Sequence, residues 1–188
     1  MQRHIFSPLV AAAALISCGQ DHSPTPTGPD VDKAVIALVL EDFANWKEVT
    51  FGELEGVLEL KPDSLANPDG TAQGIKVLAS EIADQLDDEA VVAFVERNRS
   101  TVPVASLFAG SRWVRVRPPN VTDTYSLGPP EGAKAVGYLT LPGYSADGLR
   151  ALLQIRHSWS MHAAVVTYVL SREQGHWKVV ARDQAVFL

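Results

Sequence analysis

The sequence predicts an α+β fold in which N-terminal helices pack on one face of a mostly antiparallel C-terminal sheet, arranged as a meander. Apolar residues recur at helical spacing in the first half of the chain and at every second position in the second half. Short turn sequences, such as Asp147-Gly148 and Glu173-Gln174-Gly175, separate the strand-like segments, which is typical of antiparallel neighbours. Because the helices precede the strands rather than alternate with them, the pattern favours α+β over α/β.

The composition indicates one folded domain. The chain has 188 residues, of which 20% are charged and 46% are hydrophobic, proportions typical of a globular protein. Its net charge of −6 argues against a general nucleic-acid binder, which needs a basic surface. The single cysteine, Cys18, excludes an internal disulfide and a metal cage built from thiolates.

The first 17 residues have the pattern of an export signal. Arg3 supplies a positive charge, and the apolar run from Leu9 to Ile16 is too short to span a bilayer. The run ends in Leu15-Ile16-Ser17-Cys18, which resembles the lipobox of bacterial lipoproteins. The resemblance implies that residues 1–17 are a signal peptide and that Cys18 is lipidated, so that the membrane is a partner through the lipid anchor. An ordinary secreted protein with a chance cysteine is the alternative.

The residues after Cys18 predict a tether and a location. The residue after Cys18 is Gly19, where enterobacterial lipoproteins that stay in the inner membrane have an aspartate. The resemblance therefore implies a cell-envelope protein, on the outer membrane facing the periplasm if the source is Gram-negative. Residues 18–30 hold three prolines among Ser, Thr and Gly, a composition that predicts a disordered spacer. Residues 31–188 are then a single globular domain, long enough to bury a core.

Three helices and one strand are predicted in the first half of that domain. A broad apolar stripe predicts a helix from residue 31, which Asp30 can cap. Leucines and glutamates that alternate within residues 48–60 predict a strand with one solvated face. Helices are predicted over residues 74–86 and 87–99, with Asp87 or Asp88 as the cap of the second.

The second half of the domain predicts strands over residues 112–117, 135–141, 149–162, 164–170 and 176–188. If one regular strand runs through to His162, then His157 lies on its apolar face between Ile155 and Trp159. His162 then lies on the opposite face, because five residues is an odd step. The two histidines could not share a metal ion in that arrangement, and no metal site or cofactor is predicted.

The C-terminal half carries a recognisable pattern. Its elements are a Gly-Tyr-Ser turn, an Ala-Leu strand and a final hairpin of the form Tyr-x-Leu-x-x-x-x-Gly-x-Trp-x-Val; they comprise Gly143-Tyr144-Ser145, Ala151-Leu152, Tyr168, Leu170, Gly175, Trp177 and Val179. The pattern resembles the C-terminal hairpins of many uncharacterised secreted bacterial proteins, and the same hairpin occurs in nuclear-transport-factor-2-like cone folds. The resemblance implies a structural signature, in which glycine turns the hairpin and tryptophan packs on the sheet, and it implies no catalytic residue.

The candidate site residues fall into two groups. His157, Trp159 and Tyr168 could line a pocket, although a buried structural histidine is the favoured interpretation of His157. Arg112, Arg115 and Arg117 form a basic cluster that could bind an anion, although a solvated strand face paired with the glutamates of residues 53–59 is favoured. No catalytic residue is predicted, because Ser145 lacks the G-x-S-x-G context of a nucleophile elbow and fits turn chemistry better.

Two functions are compatible with these features. The first is a lipid-anchored cell-envelope protein with a non-enzymatic domain that binds another envelope protein or a small ligand. The alternative is a small-ligand-binding or hydrolase-like domain of the nuclear-transport-factor-2-like type, with a pocket near His157. Closed apolar packing around His157 would favour the first function.

Overall fold

The computed structural model describes residues 28–51, 57–60, 71–103, 105–108, 114–116, 133–159 and 162–187. The predicted signal peptide, Cys18 and the tether up to residue 27 lie outside the described residues. Two of the three arginines in the predicted anion site, Arg112 and Arg117, also lie outside them.

The strands form one mixed sheet, and its antiparallel part is the larger. They are β1 (Val57–Leu60), β2 (Val114–Val116), β3 (Ala133–Leu139), β4 (Gly143–Tyr144), β5 (Arg150–Trp159), β6 (His162–Glu173) and β7 (His176–Phe187). Their order is β2-β1-β3-β5-β6-β7, and β4 pairs with β5. The neighbours from β3 to β7 are antiparallel, which confirms the predicted α+β class with an antiparallel C-terminal sheet. β1, by contrast, is parallel to both β2 and β3.

The helices begin near the predicted positions but end differently. α1 covers Pro29–Phe51, so it extends into the segment for which the sequence predicts a strand; among the described residues of that segment, Val57–Leu60 are β. Its first residue is a proline, which fits a helix start because this position needs no N–H. Pro29 and Asp30 therefore belong to the helix rather than to the tether.

The predicted helix over residues 74–86 is divided in two. α2 covers Ala72–Leu78, and a 3-10 helix follows over Ser80–Gln85. The break has a partner in the sheet, because the carboxylate of Asp183 on β7 accepts the backbone N–H of Glu81 at 3.0 Å. That bond satisfies a donor that a new helix start leaves open.

α3 covers Asp88–Arg97, and of the two predicted caps it is Asp87 that caps it, by accepting the N–H of Ala90 at 2.9 Å. A second 3-10 helix covers Ala105–Phe108.

The helices cover both faces of the sheet rather than one. Side chains alternate along β5, so Leu152 and Leu153 point to opposite faces. Leu153 belongs to a cluster with Val35, Ile36 and Val39 of α1, whereas Leu152 packs with α2 and α3, represented by Ile75 and Phe94. The sequence shows that a helix has an apolar stripe, but not which sheet face the stripe meets, and this accounts for the difference.

Gly143 marks the closest approach between the sheet and α3. A Cβ atom at Gly143 would overlap the backbone of Ala90 and Phe94, so only glycine allows β4 to lie against the helix. The glycine of the Gly-Tyr-Ser element therefore has a packing role.

The final hairpin turns where the sequence predicts. Gln174 and Gly175 both have positive φ, at 50° and 84°, and they connect the paired residues Glu173 and His176 in the manner of the tight turns that suit hairpin twist. Trp177 lies partly buried against the cluster of α1, as predicted. A bulge at Val180 then shifts the register of β7, so Ala181 packs on the opposite face from Trp177 and Val179 rather than on the same one.

Candidate functional site

His157 lies in the core rather than at an open surface. It is 4% exposed on β5, and its ring meets the ring of Phe43 of α1 edge-on, with centroids 5.1 Å apart. Its strand neighbours are Gly137 and Ala164. These contacts agree with the favoured interpretation of His157 as a structural histidine packed under α1.

Two of the predicted pocket residues, His157 and Tyr168, lie on different strands and are not paired. Tyr168 on β6 is fully buried and is opposite Leu153, whereas His157 is opposite Ala164. Ala164 and Tyr168 are four residues apart, about 13 Å along the strand. The backbone of Trp159 ends β5 opposite His162, and the side chain of Trp159 lies outside what the structure describes.

The relation predicted between the two histidines is wrong. His157 lies on β5 and His162 begins β6, so they belong to neighbouring strands that meet in a hairpin. The odd-step argument for opposite faces assumes one continuous strand and does not apply. Over the described ranges, no group of three or more His, Cys, Asp or Glu side chains could hold a metal ion.

Of the three arginines in the predicted anion site, only Arg115 lies among the described residues. It is exposed on β2, and the register of the parallel pair places it opposite Glu59 of β1. The pairing of this basic cluster with the glutamates of residues 53–59 stays a prediction. Arg97, which lies close to this cluster in sequence, is instead directed into the interior.

Arg97 belongs to a partly buried charge cluster, the α1-start cluster, which consists of Asp32, Arg97, Tyr144 and Trp177. Two guanidinium nitrogens of Arg97 donate to the two carboxylate oxygens of Asp32, at 3.1 and 2.7 Å. Arg97 also donates to the carbonyl oxygen of Pro142. The hydroxyl of Tyr144 donates to Asp32 at 2.9 Å, and its ring lies 5.7 Å from that of Trp177. The cluster thus joins the first turn of α1 to the end of α3 and to the sheet.

The electrostatics of the α1-start cluster follow from its burial. Burial alone lowers the pKa of Arg97, but the hydrogen bond and charge of Asp32 raise it above its ordinary value. Burial raises the pKa of Tyr144, and the Asp32 carboxylate raises it further. The guanidinium therefore stays charged, and the phenol stays protonated so that it can donate to Asp32.

A second cluster, the Arg182 cluster, lies further along α1 and consists of Asp42, Trp46, Tyr168 and Arg182. A single nitrogen of Arg182, Nη1, donates to both carboxylate oxygens of Asp42, at 3.1 and 2.9 Å. The guanidinium lies over the ring of Trp46, 5.1 Å from its centroid, a distance at which a cation and an indole attract. The side chains of Arg182 and Asp42 are 34% and 29% exposed, so solvent reaches this cluster.

Tyr168 is the fully buried member of the Arg182 cluster. Its hydroxyl is buried and makes no hydrogen bond of normal geometry with any described residue, although it is close to the carboxylate of Asp42. Burial raises the pKa of Tyr168, and Asp42 raises it further. A buried hydroxyl without a bond is uncommon and costly in proteins.

Ser145 has the structural role that the sequence indicates. Its hydroxyl donates to Asp147 at 2.6 Å and accepts the N–H of Arg150 at 2.9 Å. The Asp147 carboxylate also accepts the N–H of Leu149 at 2.8 Å. These bonds close the turn between β4 and β5, so both side chains serve the turn.

Sequence patterns reveal neither charge cluster. Asp32 and Arg97 are 65 residues apart, and Asp42 and Arg182 are 140 residues apart, so no local pattern joins them. One signal is present in the sequence: an aspartate at position 32 or 42 interrupts the apolar composition of α1, and an acid that is partly buried needs a partner.

Comparison with known proteins gives no match to a family model, to a curated protein or to a solved structure. The resemblances to bacterial lipoproteins and to nuclear-transport-factor-2-like hairpins therefore stay predictions. Within the described ranges, no helix has the length and hydropathy that crossing a membrane requires.

Proposed function

We propose that the protein is a lipid-anchored component of a bacterial cell envelope, with a non-enzymatic domain that binds a partner or a small ligand. The observation that carries the proposal is the position of the only cysteine. Cys18 follows Leu15-Ile16-Ser17 at the end of an apolar run, and ten residues separate it from Pro29, where α1 begins. An acyl chain contributes about 0.8 kcal/mol per buried CH₂, and stable anchoring takes two membrane-binding signals. The chains that lipoprotein maturation adds at Cys18 would supply them.

The first turn of α1 suits attachment to a tether. Asp32 is held there by Arg97 and Tyr144, so a pull on the tether would act on a helix start that is bonded to α3 and to the sheet. Ten extended residues reach about 35 Å. The anchor would thus attach the domain through the first turn of α1 and allow it to lie up to that distance from the membrane.

The interior supports a binding role rather than catalysis. Several buried polar side chains bond within the fold: Asn98 bonds both the N–H and the carbonyl of Leu141, and Gln154 donates to Thr167. Ser145 closes a turn, and His157 packs on Phe43. This packing around His157 is the condition that favours the first function over a pocket-based hydrolase.

Fractionation of cells that express the full chain tests the anchor. Cys18→Ser is expected to leave uncleaved precursor that incorporates no labelled fatty acid, because serine cannot form the thioether. Ser17→Ala is the matched control, since it keeps a small residue before the cysteine and should be processed and membrane-bound. A Cys18→Ser protein that is cleaved normally and stays with the membranes would contradict the proposal.

A further inference from the structure

We propose that the Arg182 cluster is a binding site for a carboxylate group, and that Asp42 occupies it as an internal stand-in while the ligand is absent. The inference goes beyond the proposed function and does not depend on the lipid anchor. It rests on three features of the cluster, which are the unused capacity of Arg182, the position of Trp46 and the buried hydroxyl of Tyr168.

Arg182 has donors to spare. A guanidinium presents five N–H donors and binds a carboxylate best through two nitrogens in parallel. Arg182 binds Asp42 through Nη1 alone, and its Nε and Nη2 donate to no acceptor in the described part of the chain. Arg97 in the α1-start cluster, by contrast, uses both terminal nitrogens on Asp32. An incoming carboxylate can therefore take the two-nitrogen geometry that Asp42 does not.

The surroundings of Arg182 suit a carboxylate that is attached to an apolar group. The half-buried indole of Trp46 lies against the guanidinium and would supply apolar surface next to the charge. The hydroxyl of Tyr168 is buried close to Asp42 but makes no hydrogen bond of normal geometry with any described residue. If a ligand displaces Asp42, this hydroxyl can donate to the ligand, which would give a buried polar group the bond that it lacks.

The shared chemistry is a carboxylate next to a hydrophobic group, and it has two sources: a small organic acid or the C-terminus of a partner peptide. The probes are benzoate and the peptide Ala-Ala-Phe with a free C-terminus. Their uncharged counterparts, benzamide and the same peptide amidated, are the controls. The readout is the arginine Nε–Hε NMR signals of the full-length protein in detergent, which report weak binding at a named side chain.

The proposal predicts a saturable shift of the Arg182 signal with benzoate or with the free peptide, and none with the amides. The probe that binds more tightly identifies the source. In Arg182→Lys, which lacks this reporter, the tryptophan indole N–H signals should no longer respond to the acids, because lysine lacks the planar fork. In Arg172→Lys, on the same hairpin, the Arg182 signal should shift as in the native protein. Asp42→Asn should tighten binding by up to about fivefold, since an exposed ion pair that competes with the ligand contributes up to about 1 kcal/mol.

Three results would overturn the proposal. One is an equal response to the acids and to their amides, which would mean that the ring alone is recognised. Another is the absence of a saturable shift in both the native protein and Asp42→Asn. The third is weaker binding in Asp42→Asn, which would make Asp42 part of the site rather than its competitor. A well-dispersed spectrum of each variant would show that it is folded.

Discussion

The two charge clusters along α1 consist of the same kinds of residue but differ in how deeply they are buried and how fully they are hydrogen-bonded. Each has an aspartate from α1, an arginine from a distant element, a tyrosine and a tryptophan. In the α1-start cluster, Asp32 is 7% exposed and accepts from two arginine nitrogens and a tyrosine hydroxyl. In the Arg182 cluster, Asp42 accepts from a single nitrogen, and the nearby hydroxyl of Tyr168 makes no normal bond. The α1-start cluster therefore stabilises the fold, whereas the Arg182 cluster has donors left that can bind a ligand.

The largest expected effect is that of removing the buried charge. Asp32→Asn should lower the free energy of unfolding by about 3 kcal/mol, because it leaves Arg97 partly buried without its counter-ion. The matched change Asp42→Asn should cost less than about 1 kcal/mol, as solvent and salt screen the exposed pair. Urea unfolding of both variants measures the difference, and equal losses would contradict the distinction between the clusters.

Trp177→Ala tests how much the α1-start cluster depends on its aromatic neighbour. A fully buried tryptophan costs about 3–5 kcal/mol when it is truncated, and Trp177 is only partly buried against Tyr144 and the core. We therefore expect a loss below about 3 kcal/mol, with the fold retained. Thermal unfolding measures this, with the exposed Lys178→Ala as the control. Near-native stability would place Trp177 outside the core.

Alkaline pH should weaken the fold through both tyrosines. The pKa values of Tyr144 and Tyr168 are raised in the folded protein, so above about pH 10 the unfolded chain binds fewer protons than the folded one. Their stabilising effect is complete below that pH and is lost as the pH rises towards the folded pKa values. Each tyrosine contributes up to about 1.4 kcal/mol per pH unit. Urea unfolding at a series of pH values above about 10 measures how steeply the free energy of unfolding falls with pH. A phenylalanine at either position should make this fall less steep, and an unchanged dependence on pH would argue against burial of the phenols.

Local chemistry makes part of the fold predictable. Asp87 or Asp88 is predicted as a cap because acids accept the open N–H groups of a helix start, and Gly175 is predicted as a turn residue because glycine adopts positive φ freely. The apolar alternation along β5 predicts that His157 lies on an apolar face, and its contact with Phe43 of α1 agrees with that prediction.

Other features do not follow from local patterns. Between Trp159 and His162 the sequence has no Gly, Pro, Asn or Asp, so it predicts one strand that continues to His162, whereas β5 ends at Trp159 and pairs there with the start of β6. The parallel pairing of β1, the division of the helices between two faces and both Asp–Arg pairs depend on contacts between distant segments. The sequence therefore indicates His157 and Tyr168, but it does not identify Asp42 and Arg182 as neighbours of Tyr168.

The most direct test of the difference between the clusters is a pair of tyrosine substitutions measured by urea unfolding at neutral pH. Tyr144→Phe removes a hydroxyl that donates to a carboxylate, and it should cost about 1.5–3 kcal/mol. Tyr168→Phe removes a buried hydroxyl that has no normal bond, so stability should be unchanged or higher by up to about 1 kcal/mol. A loss at Tyr168 as large as the loss at Tyr144 would contradict the account, because it would mean that the Arg182 cluster is as fully bonded as the α1-start cluster.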